Sequence, residues 1–275
     1  MKNLSYIFLL FLFFSCQKDE KHKYPRVIVP KAKNVVEVNT NYMLRMTSDE
    51  NGILALNFDK DTILGDKKDF HQYDKYIVNF KNWDTVLPRY NFKIIIDTSY
   101  TISANGFVHK NLKLPNTKEE KKSNSEVSNY FNNLFGQLKD YVICYPLLIF
   151  NSDNKPAYIW DYKFIQEAKD IDGKWKPIEY FNNTPTCVVV TELLKIKPSN
   201  YLTIPIIKYN GSFKTKIRVK IKIDRQFYYS NEINGFINRT QFDKSIAKKS
   251  LSFWKPNWDD KFFDDYLSKI IFLEE

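Results

Sequence analysis

The densest chemistry in the chain lies in one run, Phe213-Lys214-Thr215-Lys216-Ile217-Arg218-Val219-Lys220-Ile221-Lys222-Ile223. Cations and apolar residues alternate there with a period of two, the side-chain period of a β-strand. A strand puts Lys214, Lys216, Arg218, Lys220 and Lys222 on one face, and turns Phe213, Ile217, Val219, Ile221 and Ile223 to a core. Same-face neighbours then stand about 7 Å apart, inside a Debye length of about 8 Å, so the charges repel one another. Acidic side chains on the next strand would offset that repulsion. So would an anionic partner, such as an acidic glycan, lipopolysaccharide or nucleic acid, of which nucleic acid is the least expected. Lysine on a strand face also guards a sheet against edge pairing.

Other residue types yield no catalytic constellation. The three histidines, His22, His71 and His109, have no partner at metal-ligand spacing, and no Cys-x-x-Cys occurs, so no metal site is expected. There is no Gly-x-Ser-x-Gly elbow and no glycine pattern for phosphates or dinucleotides, so no cofactor is expected. Asp59-x-Asp61 with Gly65-Asp66 misses a calcium loop, because Ile63 takes a ligand position and the glycine comes late. Asp170-x-Asp172-Gly173 suits a hairpin turn better than a cation. No catalytic residue is assigned. Paired carboxylates of a glycan hydrolase come from distant strands and leave no local motif, so that activity stands as the alternative.

Three cysteines are present. Cys16 stands apart at the end of an N-terminal apolar run, which leaves Cys144 and Cys187 as an even pair that could oxidise outside the cytoplasm. The competing reading is two buried thiols acting as small hydrophobes.

Lys2 followed by the apolar run Ile7 to Phe14, then Ser15 and Cys16, has the layout of a secretory signal. Eight apolar residues are too few to span a bilayer as a helix, which takes about 20. Ser15-Cys16 at the end of this run resembles a lipobox. The resemblance implies acylation of Cys16 and cleavage before it, with residues 1–15 as signal peptide. Cys16-Gln17-Lys18-Asp19-Glu20 is similar to the export signal of Bacteroidota-type surface lipoproteins, which implies an outer-membrane, cell-surface address. Two or three acyl chains anchor stably where one does not. Asp61-Thr62-Ile63 and Asp84-Thr85-Val86 resemble the acceptor of O-glycosylation in such bacteria, which implies Thr62 and Thr85 as sites.

The elements that must position these residues are mostly strands. Phe and Tyr number 22 and 18 against seven Gly, a composition that fits pleated, half-buried surfaces. Residues 16–34, Lys-rich with Pro25 and Pro30, suggest a lipidated tether. Residues 35–112 suggest a β-rich domain, including a strand from Phe92 through Ile94 and Ile96 to Ile102 and hairpin signals at Asn51-Gly52 and Asn105-Gly106. Residues 113–141 suggest a charged linker and a helix whose apolar stripe runs from Val127 to Val142. Residues 142–245 suggest an immunoglobulin-like β-sandwich: Cys144 to Phe150, a long strand Ala157 to Ala168, Trp175 to Phe181, Val188 to Ile196, Leu202 to Tyr209, the cationic run, and Tyr228 to Ile237. In the long strand, Tyr158, Trp160, Tyr162 and Phe164 would share a face, and Asn210-Gly211 would be another turn. Residues 246–275 suggest a C-terminal helical segment, with Pro256 and Asn257 at the helix start, Asp259 and Asp260 in its first turn, and Trp258, Phe262, Phe263, Tyr266, Leu267, Ile270 and Ile271 as its apolar stripe.

The expected class is therefore mainly β, with two amphipathic helices. The net charge of +10 favours anionic partners. The expected function is a surface lipoprotein without catalysis, bound to the membrane by its lipid and meeting a glycan or an envelope protein. A structural envelope component and an immunity protein are further alternatives.

Overall fold

The computed structural model describes residues 23–39, 44–46, 54–64, 89–105, 107, 140–159, 162–182, 194–245, 248 and 259–274. Its early strands are β1 (Val27–Ile28), β2 (Val35–Val36), β3 (Leu44–Met46), β4 (Ala55–Phe58), β5 (Thr62–Ile63), β6 (Phe92–Ile96) and β7 (Ile102–Ala104). They are followed by β8 (Tyr141–Asn151), β9 (Ala157–Ile159), β10 (Tyr162–Lys169), β11 (Trp175–Pro177), β12 (Tyr180–Asn182) and β13 (Leu194–Ile196). The last are β14 (Tyr201–Ile207), β15 (Phe213–Ile223), β16 (Gln226–Tyr229) and β17 (Ile233–Ile237), before helix α1 (Asp260–Tyr266). The chain is mainly β.

Two sheets carry the core. In the first, β8 pairs antiparallel with β14, and β14 with β4, while β6 and β7 pair successive stretches of β8. Strands from the 35–112 and 142–245 blocks therefore share one sheet. In the second, β15 pairs with β10, β10 with β11, and β16 and β17 lie in succession along β15. Leu147, Ile149, Leu202, Ile204 and Ile206 of the first sheet join Phe164, Val219, Ile221 and Ile223 of the second in one buried cluster. Each such side chain, fully buried, contributes about 1.5–3 kcal/mol.

Polar groups fasten the layers. Glu179, 1% exposed, accepts from the Gln166 N–H at 2.9 Å, from Gln166 Nε2 at 2.7 Å and from the Tyr209 hydroxyl at 2.7 Å. Gln166 Nε2 also donates to the Ile207 carbonyl, so one carboxylate ties β10 to the end of β14. Asn231 mimics a strand on the edge of β6: its Oδ1 accepts from Ile96 N–H at 2.7 Å and its Nδ2 donates to Ile96 O at 3.2 Å.

Several expectations change. The 157–168 strand is two elements in different sheets: Ala157 and Ile159 face inward, then Tyr162 and Phe164 do. Inward parity switches from odd to even, which a single unbroken strand cannot do. Tyr158 is half-buried, and Trp160 lies outside the described residues. The Trp175 to Phe181 strand breaks at Ile178-Glu179, and β12 pairs with β3. The last strand divides at Ser230, which replaces a ladder carbonyl by accepting the Val219 N–H on its hydroxyl.

Asn210-Gly211 turns the chain from β14 in one sheet to β15 in the other. Asp172-Gly173 does close a hairpin, between β10 and β11, with Gly173 at φ +77°. The strand read from Phe92 to Ile102 is β6 and β7, with a bend at Ser99-Tyr100 between them. Asn51-Gly52 and residues 127–139, where the sequence suggests a helix, lie outside the described residues; Val142 belongs to β8. Residues within the expected tether pack on the body: Val27 is 0% exposed and its N–H donates to the Tyr100 hydroxyl.

At the C-terminus, Asp259 caps α1 by accepting the Phe262 N–H. Phe263, Leu267 and Ile271 are buried, but Phe262 is exposed, because it sits about 100° around the helix from Phe263. Trp258 lies outside the described residues. Among the described residues no helix is long and apolar enough to cross a membrane. The strand beside β14 in the first sheet comes from residues 55–58.

Candidate functional site

The period-two reading places the cations of β15 on the side of the second sheet that faces away from the core. Ile217, Val219, Ile221 and Ile223 are buried in the core cluster, and Phe213 is half-buried against Phe242. Cross-strand register then decides what each cation meets. Arg218 stands opposite Glu167, Lys220 opposite Ile165 and Lys222 opposite Lys163 on β10. On the other edge Lys220 faces Tyr229, Lys222 faces Phe227, Lys214 faces Phe236 and Lys216 faces Asn234.

Glu167 supplies the offsetting charge. Its Oε2 accepts from Arg218 Nε at 2.9 Å and lies 2.8 Å from Nη2, and its Oε1 lies 3.9 Å from Lys220 Nζ. The Arg218 guanidinium is also packed between two rings, 4.3 Å from the Trp175 centroid and 4.2 Å from that of Tyr229. Lys169 lies over Trp175, and Lys220 and Lys222 lie over Phe227. Rings and cations alternate in a ladder, and such contacts strengthen as water is excluded.

The face is divided in two. Near Lys220 it is covered: Leu273, 0% exposed, packs with Ile165 and Phe227. Glu274 pairs there with Lys244 and accepts from the Ser268 hydroxyl. Burial raises the Glu274 pKa, but the hydrogen bonds from Lys244 and Ser268, with the charges of Lys244 and Lys220, outweigh it and hold the carboxyl below its ordinary value. At the other end Lys214 and Lys216 are exposed, with Phe236 48% exposed beside them. Neither lysine pairs with a carboxylate among the described residues.

The rim is pinned by the β10–β11 hairpin. Lys176 Nζ lies 2.6 Å from Asp170 and 3.2 Å from Asp172, and Arg239 approaches Asp170. The hydrogen bond from Lys176, then that from the Ile171 N–H, hold the Asp170 carboxyl low, and Asp170 in turn raises the Lys176 pKa.

The sequence-derived residues are thus only partly brought together. Lys214, Lys216, Arg218, Lys220 and Lys222 share a face, but Arg218 and Lys220 are engaged by Glu167. Cys144 is buried, its Sγ 3.7 Å from the Val142 carbonyl, and Cys187 lies outside the described residues. Thr62 is half-buried on β5 and its hydroxyl donates to the Lys60 carbonyl; Thr85 lies outside the described residues, as do Cys16 and the three histidines. Asp61 accepts from the Arg26 N–H. The acid expected on the next strand is Glu167. The signal was there, since Glu167 is the single carboxylate among the outward positions Lys163, Ile165, Glu167 and Lys169. Trp175, Tyr229 and Phe236 had no local signal and needed the register.

Comparison of the chain with protein-family models, with curated proteins and with solved structures finds no match.

Proposed function

We propose that this chain is a non-catalytic binding protein, anchored at the outer-membrane surface by lipid on Cys16, that captures an anionic partner on the outer face of its second sheet. One observation carries the reading of the face. Among the outward positions of β10, β15, β16 and β17 only Glu167 is acidic, while Lys163, Lys169, Lys214, Lys216, Arg218, Lys220 and Lys222 are basic. A single-sign surface with exposed cations and rings attracts anions and raises their local concentration. The address is carried by Lys2, the apolar run and Ser15-Cys16.

The same reading includes an immunoglobulin-like arrangement. The pairings β8 with β14 and β10 with β15, with the chain changing sheet between β14 and β15, match the central strand pairs of such a sandwich. Here the fourth strand of the first sheet is β4, from the N-terminal block.

Both parts are tested on the full chain expressed in a Gram-negative host and purified in detergent. Wild type partitions into the detergent phase and Cys16→Ala into the aqueous phase; equal partitioning refutes the anchor. Wild type is retained on immobilised heparin or immobilised polygalacturonate and released by salt; passage through both columns at low salt refutes the anionic partner.

A further inference from the structure

We infer that the exposed end of this face, Lys214, Lys216 and Phe236, is the contact subsite, and that its ligand is an acidic polysaccharide. Arg218 and Lys220 then form its structural base. The inference rests on the reading of the face as a binding surface, and assigns its parts.

Access separates the two groups. Arg218 has rings against its guanidinium at 4.3 and 4.2 Å and Glu167 on its edge. The Lys220 side chain is only 8% exposed. An incoming anion would have to displace Glu167 to pair fully with Arg218, and the C-terminal residues as well to reach Lys220. Lys214 and Lys216 are exposed, and register sets them opposite Phe236 and Asn234 on β17. The two residues occupy same-face positions whose backbones are about 7 Å apart along the strand.

The ligand class follows from that geometry. A single exposed ion pair is weak in water, so binding there needs several charges on one molecule. A polysaccharide supplies repeated carboxylates or sulfates on a chain, and the C–H face of a sugar ring can lie on the open Phe236 ring. Single-stranded nucleic acid fits less well. It needs successive free rings for its bases, whereas Trp175 and Tyr229 are both occupied by Arg218.

The test uses the detergent-purified full chain, with heparin as the sulfated probe, polygalacturonate as the carboxylated probe and a single-stranded oligonucleotide as competitor class. Wild type binds at least one polysaccharide. The double variant Lys214→Gln, Lys216→Gln weakens that binding about tenfold and flattens its salt dependence. Phe236→Ala weakens it about threefold with the salt dependence kept. Thermal unfolding monitors the fold, and both variants melt with wild type because all three side chains are exposed. Failure of wild type to bind either polysaccharide overturns the binding-face reading itself. Wild-type binding that survives the lysine double variant overturns the subsite and leaves the face. Tighter binding of the oligonucleotide than of both polysaccharides overturns the ligand class.

Discussion

Replacing Glu167 by Gln separates the structural role of the cationic strand from its role at the surface. Glu167 is 5% exposed and lies 2.8 Å from Arg218 Nη2 and 3.9 Å from Lys220 Nζ. With an effective dielectric of about 20, those separations give gross attractions of about 6 and about 4 kcal/mol. Most of this repays the desolvation of the carboxylate and of Lys220. The amide keeps the shape and still accepts one hydrogen bond from Arg218. It leaves two cations facing each other without the carboxylate. Arg218 remains stacked between its rings with 21% of its side chain exposed, so part of its charge stays solvated. The net loss is therefore about 2–4 kcal/mol, at the lower side of the range for breaking a buried pair. In a chain of this size that lowers Tm by about 5–15 °C.

Chemical denaturation measures the loss, and a double-mutant cycle with Arg218→Met isolates the pair, with an expected coupling of about 1.5–3 kcal/mol. The same substitution removes the one acid among the outward strand positions of this face, so heparin retention rises as stability falls. A loss below about 0.5 kcal/mol, or a coupling indistinguishable from zero, would refute the claim that Glu167 neutralises the strand.

Two other outcomes follow from the packing and the charges. A Cβ at Gly211 would lie 2.1 Å from the Ile237 carbonyl carbon and 2.5 Å from Asn238 N, so Gly211→Ala forces the backbone at the end of β17 to move and costs about 3 kcal/mol; denaturation at wild-type stability would show that the sheet crossing is not this close. The carboxyls of Asp170 and Glu274 are held below their ordinary values, so each adds stability above its unfolded pKa and loses it as pH falls through the folded one. Unfolding followed from about pH 6 to pH 3 is expected to show stability dropping below about pH 4.5, less steeply in Glu274→Gln, and identical slopes would refute the Lys244 and Ser268 contacts.

The period-two alternation of 213–223 was enough to separate its core face from its charged face, because a strand has only two sides and burial of Ile217, Val219, Ile221 and Ile223 settles which is which. The β10–β11 turn was legible for a similarly local reason, a glycine where φ must be positive. Breaks inside apolar runs were not legible. Ala157 to Ala168 and Tyr228 to Ile237 look continuous as strings, and only neighbouring strands reveal where the inward parity switches or where Ser230 takes over a ladder bond.

By itself the sequence determined the β class, the sidedness of the cationic strand, and the lipobox resemblance at Cys16, all of which depend on residues close together in the chain. The tertiary structure alone decided which cations are engaged. Glu167 is 51 residues from Arg218, and Trp175 and Tyr229 approach it from opposite sides in sequence. Pairing across a sheet is set by register between distant strands, and a local pattern holds no record of that register.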